Sequence, residues 1–296
     1  MNQTAESHDL SISVASEPRY VLGYPILVAI TLRNDSADTD YLNIADLGLV
    51  NPIDSLAVNI VPSNGGPARR LGPSFTFRDQ DLFRTTLMSK QSRRMLVDLS
   101  QFGQSLDKGK YQVRFSVYIS AGAFASSPPV EMEFIEPSSK EGIEAARLRR
   151  LGLRANAEDY GSWQPFLTNN WESISASEEI GEPTRRQLSL HLFLHRAAYG
   201  QESIANLSMD GLGKLQGSVL SPEAACLEYE LLAARLPKPE LASRRAEVLQ
   251  KWPELETRLD KIDAGEGLLT TLRRGYGAEK RTAPPPDKRP YRNTTP

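Results

Sequence analysis

Alternation of apolar and polar residues dominates the chain up to about residue 136. Leu10, Ile12 and Val14 alternate with Ser11 and Ser13, and Ile26, Val28, Ile30 and Leu32 share one face after the Gly23-Tyr24-Pro25 break. Leu56, Val58 and Ile60 repeat the pattern up to the turn-rich segment 62–67. Tyr111, Val113, Phe115, Val117 and Ile119 alternate with Gln112, Arg114, Ser116 and Tyr118, and Val130, Met132 and Phe134 with Glu131 and Glu133. A strand of this kind packs one face and shows the other to water, which antiparallel sheets permit. Several such strands with turn clusters between them predict a sandwich, since two sheets face to face bury both apolar faces without a helix. Asn34 to Asp38 and Leu106 to Lys110 read as turns. In 67–92, Phe75 and Phe77 alternate, but Gly72-Pro73 and Asp79-Gln80-Asp81 interrupt them, which predicts a long exposed loop.

The pattern changes at Glu136-Pro137. Ser138-Ser139-Lys140-Glu141 fits a capping box, in which a serine hydroxyl and a glutamate each satisfy a backbone N–H left free at a helix start. Ile143, Ala146, Leu148 and Leu151 then fall at helical spacing. Residues 183–199 predict a largely buried helix ending before Gly200. Ser221-Pro222-Glu223 opens another, with serine as N-cap and proline at the first helical position, running to Pro237-Lys238-Pro239. A third follows over roughly 239–251. No fixed repeat period is found.

At 296 residues the chain holds two domains of ordinary size, about 100–200 residues each. The expected fold class is two-domain, all-β plus all-α. An antiparallel β-sandwich over 8–136 precedes a helical bundle or irregular helical hairpins over 137–275, and 276–296 is expected as a disordered, proline-rich basic tail. The hydrophobic fraction of 40% gives each half a core. A net charge of −2 provides no global field for nucleic acid or an anionic membrane, so neither is expected as a partner. Cys226 is the single cysteine, which excludes an intramolecular disulfide and a thiolate-rich zinc site. The first residues lack the basic patch and apolar run of a secretory signal, and no stretch approaches the roughly 18–20 apolar residues of a membrane span. A cytoplasmic location is the expectation.

Two motifs carry a family resemblance. Tyr20-Val21-Leu22-Gly23-Tyr24-Pro25 leading into ILVAITLRN is similar to the Y-x-x-G-E-P-I entry and V-T-L-x-N strand of bacterial immunoglobulin-like modules. LDKGKYQVRFSVY is similar to their L-x-x-G-x-Y-x-V hairpin into the penultimate strand. The first half of the chain therefore resembles a bacterial immunoglobulin-like β-sandwich, and its order of elements is also similar to the intracellular proteinase-inhibitor domain of bacilli. Tyr24 stands where those modules usually carry an acidic residue before the proline. The resemblance implies a fold much more than an activity.

Candidate chemistry is sparse. His191 and His195 lie four apart on one helix face, a spacing that can place two imidazoles on one metal, but no glutamate base or third ligand accompanies them. Two partly buried histidines are the expectation. Cys226 sits among alanine and leucine and reads as a small buried hydrophobe. Gly211 to Ser218 evokes a phosphate loop, but Lys214 is followed by leucine and no βαβ unit surrounds it. Trp163, Phe166 and Trp171 could line an interaction groove or form the seam where helices meet the sandwich, and the seam is favoured. Arg281, Lys288 and Arg289 of the tail could dock an acidic partner or a module reading polyproline. Glu178-Glu179 reads as solvated surface. No catalytic, metal or cofactor residue is assigned and no cofactor is expected. The expected function is a non-catalytic protein-interaction or scaffold/accessory protein whose partner is another protein. The alternatives are a proteinase-inhibitor-like module using 67–92, or a hydrolase with dispersed catalytic residues.

Overall fold

The computed structural model describes residues 5–6, 9–37, 41–45, 56–71, 84–101, 106–118, 123–154, 160–200 and 202–274. Its strands are β1 (Ala5–Glu6), β2 (Leu10–Ala15), β3 (Arg19–Val21), β4 (Leu27–Asn34), β5 (Tyr41–Ala45), β6 (Leu56–Pro62), β7 (Arg69–Leu71), β8 (Arg84–Leu87), β9 (Ser92–Asp98), β10 (Gly109–Tyr118), β11 (Ala123–Ser126) and β12 (Val130–Ile135). One sheet runs β2-β4-β9, with β4 central and both pairings antiparallel. In the other, β10 pairs β6 along one edge and β11 and β12 along the other, with β7 beyond β6. The chain passes from β4 in one sheet to β6 in the second, back to β9 and again to β10. This alternation between facing sheets is the key of an immunoglobulin-like sandwich. The sheet is not wholly antiparallel. β1 runs parallel to β11 and β3 parallel to β12, because the chain start lies on one sheet, crosses to the other for β2 and returns for β3.

The predicted alternation explains the interior between the sheets. Ile12, Val28, Ile30, Leu32, Met95 and Val97 from one sheet pack against Val58, Ile60, Val113, Phe115, Val117, Met132 and Phe134 from the other. Because side chains alternate across a strand, every second residue enters this core.

The helices are α1 (Lys140–Arg154), α2 (Tyr160–Asn169), α3 (Trp171–Ala176), α4 (Glu182–Tyr199), α5 (Asp210–Gly213), α6 (Ser221–Ala233), α7 (Lys238–Lys251) and α8 (Glu256–Asp263), and a further helical segment spans 268–274. They add a third layer. Leu27 and Ala29 of β4 and Leu96 of β9 point away from the sandwich core and are buried under Leu190, Leu194, Leu227 and Leu231 of α4 and α6. This corrects the expectation that every strand shows one face to water, for β4 is buried on both faces over its first four residues. The opposite sheet keeps the expected form in part, with Arg114 and Glu131 exposed outward but Ala57, Ser116 and Val21 buried on that same face. Among the described residues, no helix is long and apolar enough to cross a membrane.

Local expectations need five corrections. Within 67–92, β7, β8 and the start of β9 replace part of the predicted loop, and 72–83 lies outside the described residues. A serine caps α1 as expected, but it is Ser139, one residue after the serine that the S-x-x-E spacing marks, its Oγ accepting from Gly142 N at 3.0 Å. The carboxylate completing that helix start is Glu179, forty residues on, while Glu141 accepts from Ser173 Oγ instead. Ile143 is 55% exposed, and Ala145 and Ala146 take the inner face. In α6, Ser221 is inside the helix rather than its cap, and its hydroxyl donates to Ser218 O.

Candidate functional site

The seam between sandwich and helices gathers most of the chemically capable side chains, beginning at the turn after β3. Gly23 has φ +94°, a conformation L side chains rarely adopt, and a Cβ there would stand 2.6 Å from Ala146 N. The absent side chain lets α1 sit directly on the turn, which is why small alanines face it. Gly23 O accepts from Trp163 Nε1 at 2.8 Å. Val21 and Tyr24 pack with Ala145, Trp163, Leu167, Ile174 and Leu188. The motif that resembles an immunoglobulin-like strand entry is thus also the socket for α1 and α2.

Deeper in the seam, Gln187 of α4 stands beside the buried backbone of Leu27, which lies beyond the end of β2. Its Oε1 accepts from Leu27 N at 3.0 Å and its Nε2 donates to Leu27 O at 3.4 Å. A side-chain amide thereby takes the ladder position that a neighbouring strand residue would fill, giving Leu27 N its acceptor and sharing Leu27 O with the Tyr20 hydroxyl, which also donates to it at 3.4 Å. Asp98, at the end of β9, accepts from Ile26 N at 3.0 Å and Ser100 N at 2.9 Å and fixes the turn into β4.

His191 lies one helical turn beyond Gln187, buried, with Nε2 hydrogen-bonded to Gln164 Oε1 and its ring edge-on to Trp163. Burial pushes its imidazole down to about 4; Asp98 opposes that shift, and His195 and Arg149 reinforce it. Burial also lowers His195. The guanidinium of Arg149 lies 4.8 Å from the Trp163 ring centroid. A second polar tie joins β9 to α6, where Arg94 Nε bonds Glu223 Oε1 at 2.8 Å, their side chains only 8% and 3% exposed. Arg94 also donates to Val219 O, and Arg258 reaches Glu223 from α8 at 3.8 Å. Cys226 lies against this group on the far face of α6, and burial pushes its thiol up to about 11.

At the outer rim, Glu179 accepts from the backbone N–H and hydroxyl of both Ser138 and Ser139. Burial alone would raise its carboxyl, but these hydrogen bonds together hold it below the ordinary carboxylate range. Glu179 therefore pins the start of α1 to the loop before α4 and is not the solvated side chain its polar neighbours suggest.

Trp163 is 1% exposed, and Phe166 and Trp171 are half-buried at the margin of the same cluster. Arg281, Lys288 and Arg289 lie outside the described residues. Lys214, in the glycine-rich segment, follows the single turn of α5 and lies within a run of turns leading to α6. His191 and His195 share a face of α4, but among the described residues no group of three or more His, Cys, Asp or Glu side chains is placed to hold a metal ion. Gln187, Asp98, Arg94 and Glu223 escaped sequence reasoning. The one available signal was a glutamine and a glutamate at positions where their helices otherwise read as buried. With its histidine neutral at ordinary pH and its carboxylates engaged by backbone and arginine, the seam is built to hold two layers together.

No family model matches the chain, and no curated protein matches it. Among solved structures, the chain is similar to a CARDB domain from Pyrococcus furiosus, solved in complex with di-metal ions. That match has 10% identity and a TM-score of 0.22, over 43% of this chain and 88% of that one. The fold assignment rests on the strand order and the two-sheet core described above.

Proposed function

We propose that this chain is a non-catalytic accessory protein that holds a partner protein on the open face of its β6-β10-β12 sheet. The observation that carries this reading is the one-sided placement of the helices. They cover the outer face of the β2-β4-β9 sheet and brace it, and meet the other sheet only at its edge, where Val21 of β3 and Ile135 of β12 pack under them, while among the described residues the outer face from β7 across to β12 carries mostly polar side chains. The strand register orders that array in rows: Arg70, Asn59 and Arg114; then Val61, Gln112 and Glu131; then Lys110, Glu133 and Arg19. Four basic groups stand against two acidic ones, and Arg19 already pairs with Glu133. The complement of such a face is an acidic protein surface, which gains encounter rate and orientation from the charge match.

The test is photo-crosslinking in the cells that make the protein. A photoreactive residue at Arg114 or Gln112 is expected to give a discrete higher-mass adduct that high salt weakens. The same residue at Glu240, on the helical side, is expected to give none. Equal adducts at all three positions, or none at any, would remove the reading.

A further inference from the structure

We propose that residues 266–274 form a strap that opens and closes as a unit over the apolar seam between α4 and α6, while the rest of the fold stays intact. The strap begins where α8 ends. Ala264 N and Gly265 N bond back to Asp260 O and Ile262 O, and Gly265 turns the chain away at φ +78°. That turn separates the strap from α8 and provides its hinge.

Two latches hold the closed position, one at each end. Glu230 of α6 accepts from Leu269 N at 3.1 Å, Thr270 N at 3.0 Å and Thr270 Oγ1 at 3.2 Å, so a buried carboxylate from another helix caps the strap. At the far end Arg273 Nε donates to Ala197 O at 2.8 Å, near the end of α4. Beside the latches Leu269 is fully buried, and Leu268 and Leu272 are partly buried, over a cluster that includes Leu190, Leu194 and Leu231. The closed position also depends on Gly267, where any Cβ would collide with the Glu230 carboxylate.

The contrast with α6 gives the order of opening. α6 is buried on two sides, by Leu27, Leu190 and Leu194 on one and by Leu241, Val248 and Leu259 on the other. The strap has one buried side, two buried residues, Gly267 and Leu269, and two side-chain latches. Segments with few buried contacts open below the global unfolding limit, and this one follows a hinge. Opening would expose Leu190, Leu194 and Leu231 and leave both sheets and α7 packed.

Native-state hydrogen exchange on the full chain at neutral pH tests the strap. The amides of Leu269, Thr270 and Thr271 are expected to exchange at least about a hundredfold faster than those of Leu227 and Leu231, once intrinsic rates are removed. Gly267→Val is expected to speed the strap amides a further tenfold or so, with β4 and α6 unchanged. Strap amides that exchange at the α6 rate in the unaltered chain overturn the proposal. A Gly267→Val chain in which α6 and β4 accelerate together with the strap overturns it as well. The first measurement stands even if that variant does not fold.

Discussion

Val28 and Leu27 are neighbours in one strand, yet they enter two interiors built by different chemistry. Val28 points between the sheets, where each strand supplies every second residue to an apolar cluster and the buried polar residues Asn34 and Arg93 stand at its end. Leu27 points under the helices, where apolar contacts are interrupted by Gln187, His191 and the Arg94–Glu223 pair. Sheets facing each other satisfy their backbone groups within their own ladders, so only side-chain volume has to match between them. Helices laid over a strand end meet backbone groups that the ladder has not used. Something polar must then be buried with them. The first interior is held chiefly by shape, with side-chain hydrogen bonds such as those of Asn34 at its margin, and the second by shape and hydrogen bonds through its middle.

The sharpest way to break that contrast is to damage each interior in kind. Phe115→Ala, which empties the centre of the inter-sheet core, is expected to cost about 4 kcal/mol in chemical unfolding. In the seam, Arg94→Met leaves Glu223 short of its closest partner and is expected to cost about 3 kcal/mol. Adding Glu223→Leu to Arg94→Met should recover part of that loss by removing the carboxylate left short of its partner, and only part because Arg258 then loses Glu223. A double variant no more stable than the single one would mean the pair contributes beyond its own neutralisation.

Acid should separate the two interiors with the covalent structure unchanged. His191 titrates near 6.5 when unfolded and at about 4 when folded, so above 6.5 the imidazole is neutral in both states and the seam has its full stability. As pH falls below 6.5 the unfolded chain takes up the proton first, and stability declines until the folded imidazole protonates, a total of about 3 kcal/mol at most. His195, also lowered by burial, adds a smaller slope of the same sign. Unfolding midpoints measured across that window should decline in the native chain and flatten in His191→Gln. An unchanged slope in that variant would remove His191 as the source. The smallest effect belongs at the rim, where Glu179→Ala, which uncaps α1, is expected to cost about 1 kcal/mol in urea unfolding.

The sandwich was legible because its signal is local and repeated. Alternation over 26–32, 56–60, 111–117 and 130–134 marks the inward residues of β4, β6, β10 and β12, since a pleated strand leaves no other option. Helix placement was nearly as legible: α4 spans Glu182–Tyr199 and α7 spans Lys238–Lys251, close to the segments that periodicity and proline breaks marked. Glu179 shows where reading stopped. Sequence chemistry called for a glutamate near Ser139, and Glu141 was the local choice, but the fold supplied Glu179 from another segment. The aromatic cluster at 160–171 pointed to a contact surface. The bond from Trp163 Nε1 to Gly23 O, 140 residues away in sequence, and its packing with Val21 and Leu188 turn Trp163 inward.

By itself the sequence determined which segments become strands and helices and which face of each strand is apolar. Those properties follow from backbone period and side-chain type over a few residues. The tertiary structure alone decided that helices cover one sheet and meet the other only at its β3-β12 edge among the described residues, that Gln187 completes a strand's hydrogen bonds, and that Arg94 finds Glu223. Such pairings join positions more than a hundred residues apart, and no local pattern encodes them. They are fixed by the requirement that groups buried together leave no charge or backbone amide without a partner.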